Sequence, residues 1–143
     1  MNPNTARAAL AQRNANGAQI AASFYVYTIP LLAVAAGATA SGSFVTQSDS
    51  DFEWSQSTFQ AVSAGANVAN PLALVQLVDT GSQNNLFLSP LPINAVFGTA
   101  AQPFILPVSK ILIRNAQFNA SVQNNGAAAT DFYLVFIGQK VYR

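Results

Sequence analysis

The chain has 143 residues, 8% charged and 51% apolar, with a net charge of +1 and neither cysteine nor histidine. That length gives one domain with room for a genuine core, and so few charges, against about 25% in ordinary soluble domains, leave a sparse solvation shell of the kind that partners or further copies cover. The composition excludes disulfide staples, thiolate or imidazole zinc sites and Ser-His or Cys-His nucleophile pairs, and the dispersed cations Arg7, Arg13, Lys110, Arg114, Lys140 and Arg143 form no stripe to neutralise a nucleic-acid backbone.

Residues 1–23 are rich in Asn, Ala and Gln. A short helix over 5–13, capped by Asn4 or Thr5, would end at Asn14-Ala15-Asn16-Gly17. With hardly a large apolar residue before Ile20, this segment cannot dock by itself and reads as an arm or a frayed terminus. From Phe24 to Val34 three readings compete. A membrane-spanning helix needs about 20 apolar residues, but Ser23, Tyr25, Tyr27, Thr28 and Pro30 interrupt the run. A signal peptide has Arg7 and Arg13 ahead of the apolar segment and a cleavage-like Ala38-Thr39-Ala40 behind it, against a long polar lead, two tyrosines and a proline. The pattern favours strands at 24–29 and 31–35, with Pro30 at an edge or bulge.

A small-residue turn at 37–42 leads to candidate strands at 43–47 and 52–62, a loop at 63–71 and an apolar strand at 72–78. Residues 79–85, Asp-Thr-Gly-Ser-Gln-Asn-Asn, form a dense turn signal. A short strand begins at 86–88, and Pro90 and Pro92 hold the next segment irregular or at a sheet edge. Strands follow at 111–114 and 117–122, then a turn at Asn124-Asn125-Gly126 and a final strand, the last two pairing as an antiparallel hairpin. In the final strand Phe132, Leu134 and Phe136 face one way while Tyr133, Val135, Ile137 and Val141 face the other. Apolar on both faces, it belongs in the middle of a sheet with cover on each side. The fold expected is all-β, a jelly-roll-like sandwich of about eight short, mainly antiparallel strands over 24–143, preceded by the arm at 1–23.

Few motifs suggest chemistry. Asp79-Thr80-Gly81, after Leu77-Val78, matches the aspartic-protease signature, which needs a second carboxylate from a homodimer. The same residues suit a tight turn, and no Gly-rich flap follows. Asp49, Asp51 and Glu53 alternate as a strand would, placing three carboxylates on one face with Phe52 and Trp54 on the other. They read as a calcium site lacking its loop or, preferably, as a solvated acidic edge paired with a neighbouring subunit's cations. Asn119-Ala120-Ser121 fits a glycosylation sequon, Lys110 reads as a strand-end charge, and Trp54, Tyr25 and Tyr27 read as core or as a saccharide-stacking platform. No catalytic, metal or cofactor-binding residue is assigned.

Taken together, Tyr25-Val26-Tyr27-Thr28-Ile29-Pro30, Asp49-Ser50-Asp51-Phe52-Glu53-Trp54, Asp79-Thr80-Gly81-Ser82, Pro103-Phe104-Ile105-Leu106-Pro107 and the terminal Phe136-Ile137-Gly138-Gln139-Lys140-Val141-Tyr142-Arg143 resemble small virion structural proteins of tailed bacteriophages and prophages. The resemblance runs from about Phe24 to the end. It implies a virion component present in many copies and without enzymatic activity, on the head as a decoration or cement protein, or else at the neck, tail or fibre. It also implies that Asp79-Thr80-Gly81 is a turn. The partners expected are further copies, as a trimer, and the major capsid protein or other virion proteins, with no nucleic acid, membrane or cofactor. The alternatives from other classes are a homodimeric aspartic protease using Asp79-Thr80-Gly81 and a secreted adhesive or carbohydrate-binding sandwich.

Overall fold

The computed structural model describes residues 21–80 and 84–142. Of the expected arm, residues 1–20 lie outside them, and 21–23 open the first strand. The described strands are β1 (Ala21–Val34), β2 (Thr39–Val45), β3 (Asp51–Ser63), β4 (Ala66–Asn67), β5 (Ala73–Asp79), β6 (Asn84–Asn85), β7 (Leu91–Pro92), β8 (Phe104–Leu112), β9 (Gln117–Asn124) and β10 (Thr130–Tyr142), with one helical turn, α1 (Ile93–Val96), between β7 and β8.

They form two antiparallel sheets packed face to face, an all-β sandwich. In one, β10 lies between β1 and β3, and the far edge of β3 takes both β8 and the two-residue β4. In the other, β9 lies between β2 and β5, and the far edge of β5 takes β6 and β7. Without the two-residue β4 and β6, the orders are β1-β10-β3-β8 and β2-β9-β5-β7. All but one successive pair falls in opposite sheets, and the first strand lies beside the last, the nested Greek keys of a jelly roll.

The burial pattern follows the pleat. In β5, Ala73, Val75, Leu77 and Asp79 point inward, and in β10 Phe132, Leu134 and Phe136 are fully buried. Phe136 stands at the centre of an aromatic cluster, with ring centroids at 5.2 Å from Trp54, 5.3 Å from Phe44, 5.4 Å from Phe118 and 5.7 Å from Phe97. Tyr27 stacks on Phe44 at 4.4 Å and meets Phe52 edge-on. Such offset and edge-to-face contacts suit the ring quadrupoles.

The central position expected for the final strand is the one β10 occupies, but the hairpin is not formed. β9 and β10 lie in opposite sheets, and Phe118 meets Phe136 across the core instead of across a ladder. Both strands carry an apolar face that must be buried, and a fold-over between layers buries both at once. Asn124 fixes the crossover: its amide donates to the carbonyls of Val34 and Ala128, each at 2.9 Å, and its carbonyl oxygen accepts from Gly126 N–H. The run 24–34, read alternatively as a leader or a membrane span, forms β1 and buries Tyr27, Ile29, Leu31 and Val34. Among the described residues no helix is long and apolar enough to cross a membrane. Pro30 lies in β1, which pairs only with β10 among the described residues, and a register shift between Leu31 and Val34 makes a bulge with Ala33 at φ 53°.

Other elements differ in extent. β8 begins at Phe104 and spans Pro107, because its pairing with β3 is interrupted between Ile105 and Lys110, where no proline N–H is required. The loop expected at 63–71 holds a two-residue hairpin in which Ala64 and Gly65 both have positive φ, joining β3 to β4. The strand expected at 86–88 does not form, those residues being bends, and the two-residue β6 lies at 84–85, within the stretch expected as a turn.

Candidate interaction face

The two outer surfaces of the sandwich differ in kind. On the β2-β9-β5 sheet, Ser121 lies between Ser41 and Gln76, and Asn119 between Ser43 and Val78. These residues line a shallow hollow of about 430 Å3, a surface of hydroxyls and amides that water satisfies. The β1-β10-β3-β8 sheet presents something else.

Its cross-strand rows follow from the register. Phe24, Gln139, Glu53 and Ile111 form one; Val26, Ile137, Gln56 and Ile105 the next. Thr28, Val135 and Thr58, then Pro30, Tyr133 and Gln60, continue the face. Glu53 is the one charged side chain in these rows. Phe24 is 70% exposed, Ile105 67% and Ile111 38%, with Val26, Ile137 and Val135 half-buried between them. At one end Thr58, Gln60, Tyr133, Val135 and the 99–101 loop surround a hollow of about 520 Å3. Phe24, Val26, Ile137 and Val135 adjoin across β1 and β10, and Gln139, Glu53 and Gln56 lie between them and the exposed Ile105 and Ile111.

Around this face Asp51 pairs with Arg114 and Asp49 with Lys140. Asp51 and Glu53 share the side of β3 opposite Phe52 and Trp54, as alternation requires, but Asp49 lies in the preceding turn. Two of these three carboxylates, Asp49 and Asp51, have cations of the same chain beside them. Buried Asp51 accepts from Arg114 N–H at 3.0 Å and lies 3.5 Å from Arg114 Nε, while Asp49 lies 3.5 Å from Lys140 Nζ. Among the described residues no group of three carboxylates is placed to hold a metal ion.

Asp79 and Lys110, read separately in the sequence, meet at the end of β5, where Lys110 Nζ lies 3.4 Å from the buried Asp79 carboxylate. The residues after Thr80 in the Asp-Thr-Gly turn lie outside those described, and β5 and β6 pair on either side of it. Trp54 and Tyr27 are buried and Tyr25 is half-buried, so the three rings form no open platform. Trp54 donates from Nε1 to the Gln56 carbonyl. Asn119 lies inside a paired strand and accepts from Gln117 Nε2.

One polar cluster escaped the sequence reading. Lys140 is buried, donates to Gln47 Oε1, and holds its ammonium 4.4 Å from the Tyr25 ring centre. Gln47 donates from Nε2 to Tyr25 Oη and from its backbone N–H to Tyr27 Oη. Burial pushes the Tyr27 phenol above its ordinary 10.0, against the opposing pull of the Gln47 hydrogen bond. The signal was present: Lys140 keeps the parity of Phe132, Leu134 and Phe136, which turns it inward.

No protein-family model and no curated protein sequence matches the chain. Among solved structures it is similar to the Drosophila NLP core, described in terms of pentamer formation and histone binding, at 9% identity and TM-score 0.36 over 84% of this chain and 96% of that one. It is similar to the infectious bursal disease virus VP2 subviral particle at 9% identity and TM-score 0.36, covering 85% of this chain and 32% of that one. A third likeness, to latent PorU from Porphyromonas gingivalis, has 10% identity and TM-score 0.37 over 83% of this chain and 13% of the other.

Proposed function

We propose that this chain is a structural component of a bacteriophage virion, a capsid decoration or cement subunit that associates with copies of itself and bridges head subunits. The observation that supports it best is the partly aromatic outer face of the β1-β10-β3-β8 sheet, whose cross-strand rows carry the single charge of Glu53, on a chain with too few charges to keep such a face solvated. The resemblance of the strand and turn motifs to small phage virion proteins supplies the partner class. Bridging needs no turnover, which accords with ionisable side chains such as Asp51, Asp79, Lys110 and Arg114 held in ion pairs with one another.

In this reading Ile105 and Ile111 dock against the capsid lattice, and covering them replaces wetted apolar area with packed contact. The test is localisation in particle images together with an Ile105→Lys, Ile111→Lys double variant. Density on the head lattice for the native chain, lost from particles carrying the variant, is the expected result. Particles assembled without the chain, or a variant that decorates as well as the native chain, overturn the proposal. Density at the neck or tail instead moves the chain to another part of the virion and overturns the cement role.

A further inference from the structure

We infer that two copies of the chain join edge to edge through β1, antiparallel, so that the β1-β10-β3 sheet continues across the junction. This deepens the self-association in the proposed function and rests on that part of it; docking of the outer face on a lattice is a separate contact.

The edge is long and undefended. Among the described residues, β1 pairs along one side only, with β10, which leaves a second row of backbone donors and acceptors over a 14-residue strand. Natural sheets blunt such edges with lysines, prolines or bulges because a bare edge templates pairing with another chain. β1 contains no charged residue, and the sequence has none from Asn14 to Ser48. Its two blunting devices, Pro30 and the bulge between Leu31 and Val34, both lie toward one end and leave 22–29 bare.

Pro30 also orients the edge. Proline has no N–H and is tolerated within a paired strand where its nitrogen faces away from the partner. Alternation then directs the N–H and C=O groups of Thr28, Val26, Phe24 and Ala22 to the open side. Those residues also carry their side chains on the apolar outer face. A two-fold axis at Tyr25 sets Phe24 opposite Val26 of the second copy and Ala22 opposite Thr28, so ladder bonds and outer-face contacts form together while Pro30 stays outside the paired stretch.

The occupant is a second β1 and not the preceding segment. Residues 1–20 are mostly Ala, Asn, Gln and Arg, poor strand formers, whereas 24–29, Phe-Tyr-Val-Tyr-Thr-Ile, is built of the aromatic and β-branched residues that strands favour. Like edge against like edge is an isologous contact, and it closes at two copies.

The test uses the full chain and its lack of cysteine. Light scattering of the native protein shows a dimer, or a multiple of two, and a Phe24→Cys, Val26→Cys double variant in a glutathione redox buffer forms a disulfide-linked dimer. Thr28→Pro keeps the native far-ultraviolet spectrum and raises the dissociation constant by about tenfold or more, the change that a loss of ~1.4 kcal/mol brings; Thr28→Lys does the same by charging the edge. A monomer at all concentrations overturns the inference, as does a trimer that the double variant does not cross-link. A Thr28→Pro chain that fails to fold shows that the Thr28 N–H faces β10, and also overturns it. Dimerisation seen only after removal of residues 1–20 shows that the chain covers its own edge. Dimers that never reach a particle count against the virion role alone, and particle-bound chains without β1 junctions count against this inference alone.

Discussion

Two phenylalanines on opposite sides of one sheet separate what holds the fold from what the fold offers. Phe136 is fully buried among Phe44, Trp54, Phe97 and Phe118, whereas Phe24 is 70% exposed on the outer face. Phe136→Ala removes a ring from a close-packed centre and should cost about 3–5 kcal/mol, a transfer term plus the cavity left by neighbours that cannot all collapse. Full burial of a phenylalanine is worth about 1.5–3 kcal/mol; with under a third of its surface covered, Phe24 contributes no more than about 1 kcal/mol to the isolated fold. Trp54 is the single tryptophan, its ring centroid 5.2 Å from that of Phe136, so its fluorescence reports the core directly. Guanidinium unfolding, repeated at several protein concentrations to separate folding from association, should give a large loss for Phe136→Ala and a loss of about 1 kcal/mol or less for Phe24→Ala. Assembly should show the reverse order among chains that fold. A cost under about 1 kcal/mol for Phe136→Ala, or over about 2 for Phe24→Ala in the dissociated chain, would refute the division into a packed inner face and an offered outer one.

Further outcomes follow from single contacts. Ala64 sits at φ 50°, a conformation costing an L residue about 1–2 kcal/mol; after subtracting the extra chain entropy that glycine loses, about 0.5–1 kcal/mol, Ala64→Gly should raise stability by up to about 1 kcal/mol in thermal melts. Gly138→Ala should do the opposite, because a Cβ there falls inside the Glu53 carbonyl; soluble, folded protein with an unchanged unfolding midpoint would contradict the close approach of β10 to β3. Asn124→Ala removes two donors and an acceptor at the crossover and should cost about 1–3 kcal/mol in denaturant titration. Since the folded pKa of Tyr27 is raised above its unfolded 10.0, its neutral form stabilises the fold fully below pH 10, and that contribution is lost as pH climbs through the folded pKa. Native protein should therefore lose stability above about pH 10 more steeply than Tyr27→Phe, measured as the difference between their unfolding midpoints.

Period-two reading worked wherever one strand face is buried. The alternation in 72–78 and in 132–136 marks the inner faces of β5 and β10, and apolarity on both faces of 131–137 places β10 centrally. Partners were harder to read, because alternation says which way a side chain points and nothing about which strand lies alongside. Asn124-Asn125-Gly126 has the composition of a hairpin turn and serves as a crossover between layers, a choice made by the long-range demand to bury Phe118 and Phe136 against each other. β8 was hidden by Pro103 and Pro107, which argue against a central strand but are harmless at an interrupted edge. The ion pairs join residues far apart in sequence, Asp51 with Arg114 and Asp79 with Lys110, and no local pattern connects them.

The asymmetry between the two outer faces ties these observations together. A sandwich needs one apolar face per sheet, and on the outer side of β2, β9 and β5 Ser, Thr, Asn and Gln outnumber the apolar Val45, Leu74 and Val78. Were the outer surface of the β1-β10-β3-β8 sheet also meant for water, the same polar residues would serve there at no cost to the core, since outward positions do not touch it. Phe24, Val26, Val135, Ile137, Ile105 and Ile111 stand in those positions among Thr28, Gln139, Gln56 and Gln60. Their hydration is unfavourable in the isolated chain, and among the described residues β1 pairs along one side only, at the same margin. In the proposed reading, neighbouring copies cover this face and pair this edge. An isolated chain should therefore be less stable than the 23 buried apolar side chains among its described residues suggest, and should gain stability as copies are added.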